Sequence, residues 1–225
     1  MINQYKFDMI EIMKNNDTLP KKISIFPLSN FIIFPRTTVP LNIFEPRYID
    51  MVDDAMKSSR MIGMIQPKKY NQNSKILFNI GCAGKISSFK ETDDGRYLIV
   101  LVGISRFRIV SEIENEKLYR ECSVDFSEFK NDLVEEKEEL KFSDLKLIFK
   151  DIKSLLNKRG YVINWKDIEK QNLNQTINTL SMASPFTLEE KQVLLETLNL
   201  SERKKKLEEI LSTYVVDNFS NNTIQ

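Results

Sequence analysis

Histidine is absent from the 225 residues of this chain. Histidine is the usual general base near neutral pH and a common metal ligand, so its absence excludes Ser–His–Asp and Cys–His nucleophiles and HExxH zinc hydrolases. Composition still permits a Ser–Lys pair, but no serine lies in a G-x-S-x-G nucleophile turn. The sequence therefore predicts that the chain is not an enzyme.

Cysteine and long apolar runs are scarce as well. The two cysteines, Cys82 and Cys122, are too few for a disulfide framework or a structural zinc site. No stretch approaches the roughly 18 apolar residues of a membrane span, and residues 1–14 mix charged with apolar side chains and lack a signal-peptide cleavage site. We expect a cytoplasmic protein with no cofactor, no metal and no membrane partner.

An excess of charge of one sign is also missing. Thirty-three basic residues face 32 acidic residues, which leaves a net charge of +1. Domains that bind nucleic acid usually carry a clear basic excess. The charge balance thus predicts no nucleic-acid partner.

The residues that are present divide the chain into two parts. Up to Phe126 the sequence is rich in β-branched residues and phenylalanine, and it contains every glycine except Gly160. From Asn131 onward apolar residues recur at helical spacing. This pattern predicts an α+β protein with an N-terminal arm or short helix over 1–19, a β-rich subdomain over 20–126, a helical-bundle subdomain over 131–217 and a polar tail over 218–225.

Local signals place the elements of the β-rich part. Asp94-Gly95 is typical of a tight hairpin turn. Pro46 suits the first turn of a helix, which we expect to end near Ser59. The other expected features are strands at Ile23–Pro27, Met61–Gln66, Ile76–Ser88, Arg106–Val110 and Glu121–Phe126, an apolar run at Phe31–Phe34 and a polar loop at Lys68–Lys75.

Capping signals place the helices of the second part. Gly160 stands where a helix C-cap glycine is expected, and Thr187 with Glu190 forms a T-x-x-E capping box. Asn164 and Ser201 are candidate N-caps of two further helices.

Several stretches in order resemble the substrate-binding domain found at the N-terminus of Lon proteases. The family pattern opens with "PLFPL", continues to a strand ending in "FP" and then reads "LPLhIFEpRY". The corresponding stretches here are Ile25–Leu28, Phe34-Pro35 and Val39–Tyr48. A "DGR" hairpin, a "GxxRFRI" strand and an "eKQ.LLE" segment follow in the family, and this chain has Asp94–Arg96, Gly103–Ile109 and Glu190–Glu196.

The resemblance covers roughly residues 20–215 and implies both a fold and a function. The fold is a twisted β-sheet pseudo-barrel with one helix, followed by a helical bundle. The function is non-catalytic binding of unfolded or extended polypeptide, linked to bacterial proteolysis. Neither the G-x-x-x-x-G-K-[ST] phosphate loop of the Lon ATPase nor its Ser–Lys protease motif occurs here, so we expect a free-standing form. A scaffold or adaptor that docks onto a protease or chaperone is the alternative, and a hydrolase is a third hypothesis.

Seven residues are candidates for a polypeptide-binding surface in the β-rich part. Glu45 and Arg47 are able to present charge beside an apolar groove; alternatively, Glu45 caps a helix and Arg47 pairs with a neighbouring strand. The apolar candidates suit unfolded chains, although such a cluster also suits a core. The apolar candidates are Phe31, Phe34, Phe44, Met61 and Met64.

Two sets of basic residues are also interpreted. Arg106 and Arg108 flank Phe107, so both point away from the face that Phe107 occupies. They either read a carboxylate or phosphate group or form structural ion pairs. The run Arg203–Lys206 is interpreted as a solvated helix face.

Overall fold

The structure is a computed structural model that describes residues 19–71, 74–134, 145–160, 165–168 and 172–220. It divides into a β-rich unit, residues 1–135, and a helical unit, residues 136–225. The arm or helix expected over 1–19 lies outside the described residues, apart from Leu19.

The β-rich unit contains eight strands and one α-helix among its described residues. The strands are β1 Lys22–Pro27, β2 Thr38–Ile43, β3 Met61–Ile65, β4 Pro67–Asn71, β5 Ser74–Leu77, β6 Ile80–Glu91, β7 Tyr97–Ile113 and β8 Arg120–Asp125. Helix α1, Pro46–Met56, lies between β2 and β3, and a 3₁₀ segment, Ser127–Leu133, follows β8. Helix α1 starts with Pro46 at its first turn as predicted and ends three residues before Ser59.

The main sheet curls back on itself because β7 is long. Its strand order is β2-β7-β6-β3-β1-β8, and β7 also pairs with β8. The first part of β7 pairs with β2 and the last part with β8, which links the two ends of the strand order. The pseudo-barrel of the predicted α+β fold is confirmed, and β2 remains at an edge of the described sheet.

A hydrophobic core fills the interior of this sheet. Phe107 is fully buried at its centre and its ring lies 6.1 Å from that of Phe126. The buried members of the cluster are Ile23, Ile25, Met61, Ile65, Leu77, Ala83, Ile104, Phe107, Cys122 and Val124. Burial raises the pKa of the Cys122 thiol to about 11, so this cysteine stays protonated and unreactive at neutral pH.

Two expectations for the loops of this unit meet opposite outcomes. The Asp94-Gly95 turn is confirmed: Gly95 has a φ of 76° and its N–H donates to the Thr92 carbonyl at 2.9 Å. The polar loop expected over Lys68–Lys75 is wrong, because β4 and β5 pair there as a separate two-stranded sheet. Polar composition marked the segment as exposed but did not exclude strand pairing.

The apolar run Phe31–Phe34 forms a loop in which Ile32, Ile33 and Phe34 are buried. Its carbonyl at Phe34 accepts a bond from the Thr37 hydroxyl at 2.6 Å. A Cβ on Gly103 of β7 would lie 2.0 Å from the Phe34 carbonyl oxygen. Glycine at 103 therefore permits this loop to pack directly on the sheet immediately before β2 begins.

The helical unit contains α2 Lys146–Lys158, α3 Trp165–Ile168, α4 Leu173–Ala183, α5 Leu188–Glu196 and α6 Leu200–Ser220. Gly160 follows α2 with a φ of 74°, as a C-terminal glycine does. Thr187 and Glu190 form the predicted capping box of α5, with both reciprocal hydrogen bonds present.

Of the other two predicted caps, Asn164 is not tested and Ser201 is wrong. Asn164 lies outside the described residues, and the N-cap of α4 is Asn172, whose side chain accepts from the Gln175 N–H at 2.8 Å. The first turn of α6 is capped by Asn199, which accepts from the Glu202 N–H at 2.8 Å, and Ser201 already lies inside the helix. Both asparagines satisfy a helix-terminal N–H as serine was expected to do.

Candidate functional site

The Glu45-Pro46-Arg47 motif forms the entrance of α1. Glu45 occupies the N-cap position, but its carboxylate makes no capping bond and instead accepts from Arg47 Nε at 3.0 Å. The Arg47 guanidinium lies 4.5 Å from the centre of the Tyr48 ring, which is buried. These side chains compensate each other's charge and fix the chain direction where β2 leads into α1.

Three of the apolar candidates belong to the core instead of a surface. Phe34, Met61 and Met64 are all buried, with at most 6% of each exposed. They are wrong as members of an accessible binding surface, because Phe34 packs against β7 at Gly103 and every residue of β3 is buried. Phe31 is half-buried in the loop before β2.

Phe44 differs from these three because 65% of it is exposed. It directly follows β2, on the segment between the sheet edge and α1. On the neighbouring strand β7, Leu98 is 42% exposed and is paired with Asn42 of β2, so their side chains share the outer face of the sheet. We call Thr38–Ile43, together with Phe44 and Leu98, the β2 edge.

The backbone of β2 presents alternate residues to its open side. The Gly103 N–H donates to the Thr37 carbonyl at 2.9 Å, and the Val100 carbonyl accepts from Ser87 Oγ on β6 at 3.0 Å. Val100, the partner of Pro40, thus turns its polar groups toward β6 and not toward β2. In an antiparallel ladder this alternation directs the backbone groups of Thr38, Pro40 and Asn42 away from β7.

Proline fits this arrangement because it has no N–H to donate. At position 40 the missing donor faces outward, where it breaks no hydrogen bond with β7. The side chains of Thr38, Pro40 and Asn42 are all exposed. Among the described residues, no strand other than β7 pairs with β2.

The charges that flank the β2 edge are paired locally. No residue of β2 is charged. Glu45 is bound by Arg47 at one end, and Asp94 accepts from Arg96 Nε at 2.7 Å in the adjacent hairpin turn. The bonds from Thr92 and Arg96 lower the pKa of Asp94. β2 itself is therefore uncharged, and the Glu45 and Asp94 carboxylates at its Phe44 end are each compensated by an arginine.

A polar cleft of about 340 Å³ lies elsewhere on the β-rich unit. At its base the Tyr119 hydroxyl donates to Asp54 Oδ2 at 2.6 Å, and Lys117 Nζ donates to the same oxygen at 2.9 Å. These bonds lower the pKa of Asp54, and the bonds from Lys117 to Tyr119 and Asp54 raise the pKa of the lysine. Asp54 and Lys117 therefore both stay ionised near neutral pH, and neither of them is poised to transfer a proton.

The two arginines around Phe107 are structural. The Arg106 guanidinium is 2% exposed, donates to both carboxylate oxygens of Asp132 at 2.9 and 2.7 Å, and lies 4.4 Å from the Phe129 ring centre. Arg108 is half-exposed and binds both carboxylate oxygens of Glu128. The ion-pair interpretation is confirmed, and neither guanidinium is aimed at an open site.

The interpretation of Arg203–Lys206 as a solvated face is wrong for its first residue. Arg203 is buried and donates to the Leu194 carbonyl at 3.2 Å and to Asn178 Oδ1 at 2.8 Å. Lys205 and Lys206 are exposed, as expected.

Sequence reasoning missed Leu98 as a surface residue. The available signal was the alternation in Tyr97–Val102, but both alternating sets of that strand are apolar. A period of two therefore did not distinguish the outer set, Leu98 and Val100, from the inner set.

No described helix has both the length and the apolar character needed to cross a membrane.

The family described as the ATP-dependent protease La (LON) substrate-binding domain matches residues 22–213. The Lon protease of Desulfosudis oleivorans is 26% identical over 199 residues, which are 85% of this chain and 24% of that protein. Lon protease 2 of Myxococcus xanthus is 24% identical over 201 residues, 88% of this chain and again 24% of the relative. The chain thus spans about a quarter of the length of these relatives.

Solved structures share the fold. A Lon N-terminal domain protein from Xanthomonas campestris superposes with a TM-score of 0.60 at 19% identity, covering 86% of this chain and 98% of that one. The N-terminal domain of a Lon protease from the Mycobacterium avium complex gives a TM-score of 0.55 at 20% identity, with 85% and 98% covered.

Proposed function

The chain belongs to the family of LON substrate-binding domains, and we propose that it is a non-catalytic module of the cytoplasm that binds unfolded or extended segments of other proteins. The family description supports recognition of a protease substrate. Binding takes place at the β2 edge, and no chemical step is performed there.

The observation that carries the proposal is the exposure of Phe44 and Leu98 beside β2, whose second side is paired with no strand among the described residues. Large apolar side chains on a surface lose unfavourable contact with water when they are covered. Folded proteins hide their apolar residues, whereas unfolded chains expose them. An apolar surface next to open backbone groups therefore selects non-native polypeptide over folded protein.

The charge distribution supports the same occupant. At the Phe44 end of the β2 edge, Glu45 is bound by Arg47 and Asp94 is bound by Arg96. Binding should consequently depend little on salt, because few ions are displaced. An extended chain loses much conformational entropy when it is ordered, so we expect dissociation constants of about 1 μM or weaker.

The test is a titration of a fluorescently labelled, permanently unfolded model protein with three forms of the chain. They are the wild type, the double variant Phe44→Ser/Leu98→Ser and the control Val110→Ser. Val110 suits the comparison because it is as exposed as Phe44, at 65%, and lies in the last part of β7. We expect the double variant to bind at least about tenfold more weakly, since it loses two apolar contacts, and the control to bind like wild type.

Equal affinity of the double variant and wild type would remove the β2 edge from the proposal. Absence of binding by wild type at high concentration would favour the alternative, a scaffold that docks onto a folded protease or chaperone. Circular dichroism of each variant establishes that the fold is retained.

A further inference from the structure

We propose that the β2 edge binds its polypeptide by strand addition, so that the bound segment becomes a further strand of the sheet beside β2. This inference rests on the proposed function and names the mode of recognition and the conformation of the ligand. The ligand is an uncharged, extended segment with apolar side chains on alternate residues.

The first feature that favours strand addition is the direction of the backbone groups of β2. Thr38 and Asn42 each direct an N–H and a carbonyl outward, and Pro40 directs a carbonyl outward, because Val100 and Gly103 fix the alternation of the β2–β7 ladder. Donors and acceptors spaced at alternate residues match the backbone of an extended chain. A helix or a folded surface satisfies its backbone groups internally and does not present this pattern.

The second feature that favours strand addition is the set of side chains around the β2 edge. A residue placed opposite Asn42 in an added antiparallel strand has its side chain on the outer face, where Leu98 is exposed next to Asn42 on the other side. Phe44 extends the same apolar region past the end of β2. Apolar residues at every second position of the ligand thus lie on the same face as Leu98 and next to Thr38, Pro40 and Asn42.

The third feature concerns the charged side chains near β2, which bear on the charge of the ligand. β2 holds no charged residue, and the two carboxylates near its Phe44 end, Glu45 and Asp94, are already bound by Arg47 and Arg96. A charged side chain placed near this end of the added strand would lose hydration without gaining a free counterion. The edge therefore favours a neutral segment.

Pro40 limits the strength of this pairing. The ligand carbonyl opposite Pro40 finds no N–H, so the added strand is bonded less completely than a strand inside a sheet. Proline at an edge also opposes permanent pairing with other chains. The same residue that permits transient binding thus prevents the edge from acting as a site of aggregation.

This role of proline yields a test in which affinity should rise. Pro40→Ala supplies the missing outward N–H, and we expect it to bind a labelled peptide of alternating valine and serine about threefold to tenfold more tightly. Asn42→Pro removes an outward N–H and should weaken binding by a similar factor. Asn42→Ala is the matched control, because it removes the side chain but keeps the N–H, and it should bind like wild type.

The peptide supplies the complementary test. One version carries N-methyl groups on its valines and another carries them on its serines. In a strand only one alternating set of N–H groups faces the sheet, so methylation of one set should abolish binding and methylation of the other should leave it nearly unchanged. Loss on the valine set indicates antiparallel addition, and loss on the serine set indicates parallel addition.

The outcomes separate this inference from the proposed function. Strand addition is overturned if both methylated peptides bind equally, or if Pro40→Ala and Asn42→Pro both bind like wild type, while Phe44→Ser/Leu98→Ser still binds more weakly. Failure of the unmodified peptide and of unfolded protein to bind wild type overturns the proposed function itself. Sedimentation at the working concentrations restricts the comparison to monomeric protein, and thermal unfolding identifies any variant that has lost its fold.

Discussion

The β-rich unit and the helical unit each bury an arginine, but they hold its charge in different ways. In the β-rich unit, Arg106 is bound by both oxygens of the Asp132 carboxylate and covered by the Phe129 ring. In the helical unit, Arg203 donates to the Leu194 and Thr197 carbonyls and to the Asn178 amide oxygen.

The positions of these partners explain the difference. Leu194 lies in the last turn of α5 and Thr197 is its C-cap, so Arg203 meets carbonyl groups that the helix leaves without internal partners. A strand pairs its carbonyl groups within the sheet and offers no such cluster, so Arg106 is paired with a carboxylate supplied by the 3₁₀ segment. A buried guanidinium can therefore be stabilised by a counterion or by a helix end, and the surrounding secondary structure determines which is at hand.

The largest expected change in the free energy of unfolding comes from breaking the buried Arg106–Asp132 ion pair of the β-rich unit. Arg106→Leu leaves the Asp132 carboxylate without its buried partner, which typically costs about 3–5 kcal/mol. Urea unfolding measures the change in free energy. Arg108→Leu is the control, because its pair with Glu128 is half-exposed and should contribute under about 1 kcal/mol. Similar losses in the two variants would contradict the distinction between the buried and the exposed pair.

Removing Arg203 should cost less, because the acceptors described for it are neutral carbonyl and amide oxygens. Arg203→Met fills the space with apolar atoms but leaves helix-terminal carbonyls without this donor, and we expect a loss of about 1–3 kcal/mol. The exposed Lys205 provides the control, and Lys205→Met should change the free energy of unfolding by less than about 0.5 kcal/mol. A loss for Arg203→Met as large as that for Arg106→Leu would indicate that neutral acceptors at a helix end stabilise a buried arginine as much as a carboxylate does.

Substitution of Gly95, which has a positive φ, should change the free energy of unfolding less than substitution of either buried arginine. Gly95 has a φ of 76° in the β6–β7 turn and a Cβ there would meet no atom within 4 Å, so substitution tests backbone strain alone. Gly95→Val should destabilise the chain by about 1 kcal/mol or more, because a β-branched residue resists this region. Gly95→Asn should lose less, since asparagine tolerates positive φ. Equal thermal stability of Gly95→Val and wild type would refute the strain.

The smallest effect is expected from the exposed ion pair of the polar cleft, and it depends on pH. The hydrogen bonds from Tyr119 and Lys117 lower the pKa of Asp54 below its ordinary value of 3.8. A carboxylate with a lowered folded-state pKa contributes stability that is complete above the ordinary value and is lost as pH falls through the lowered one. Wild type should therefore lose more stability than Asp54→Asn between pH 5 and pH 2.

Because Asp54 is substantially exposed, solvent screening keeps the effect well under about 1 kcal/mol. The readout is the difference between the two pH profiles of the unfolding midpoint. Parallel profiles would show that this network does not contribute to acid sensitivity.

The candidate surface was only partly predictable from the sequence. Phe34, Phe44 and Met64 look alike as apolar residues near prolines and strands, yet two are core and one is exposed. Alternation identifies a face only where the other set of residues is polar. Here both faces of β3 are buried, because Met61 and Ile65 belong to the core cluster and Met64 lies on the side of the sheet that packs on α1. The apolar pattern alone therefore did not show which residues are buried.

The sequence by itself determined the features that depend on neighbours a few residues away. The Asp94-Gly95 turn, the start of α1 at Pro46 and the Thr187–Glu190 capping box all rest on backbone geometry or on hydrogen bonds within a short segment. Only the tertiary structure decided that β2 lies at an edge, that Arg106 is buried with Asp132 and that Arg203 ends at the terminus of α5. Burial and edge position depend on which distant segments cover a residue, and a local pattern of side chains carries no information about those segments.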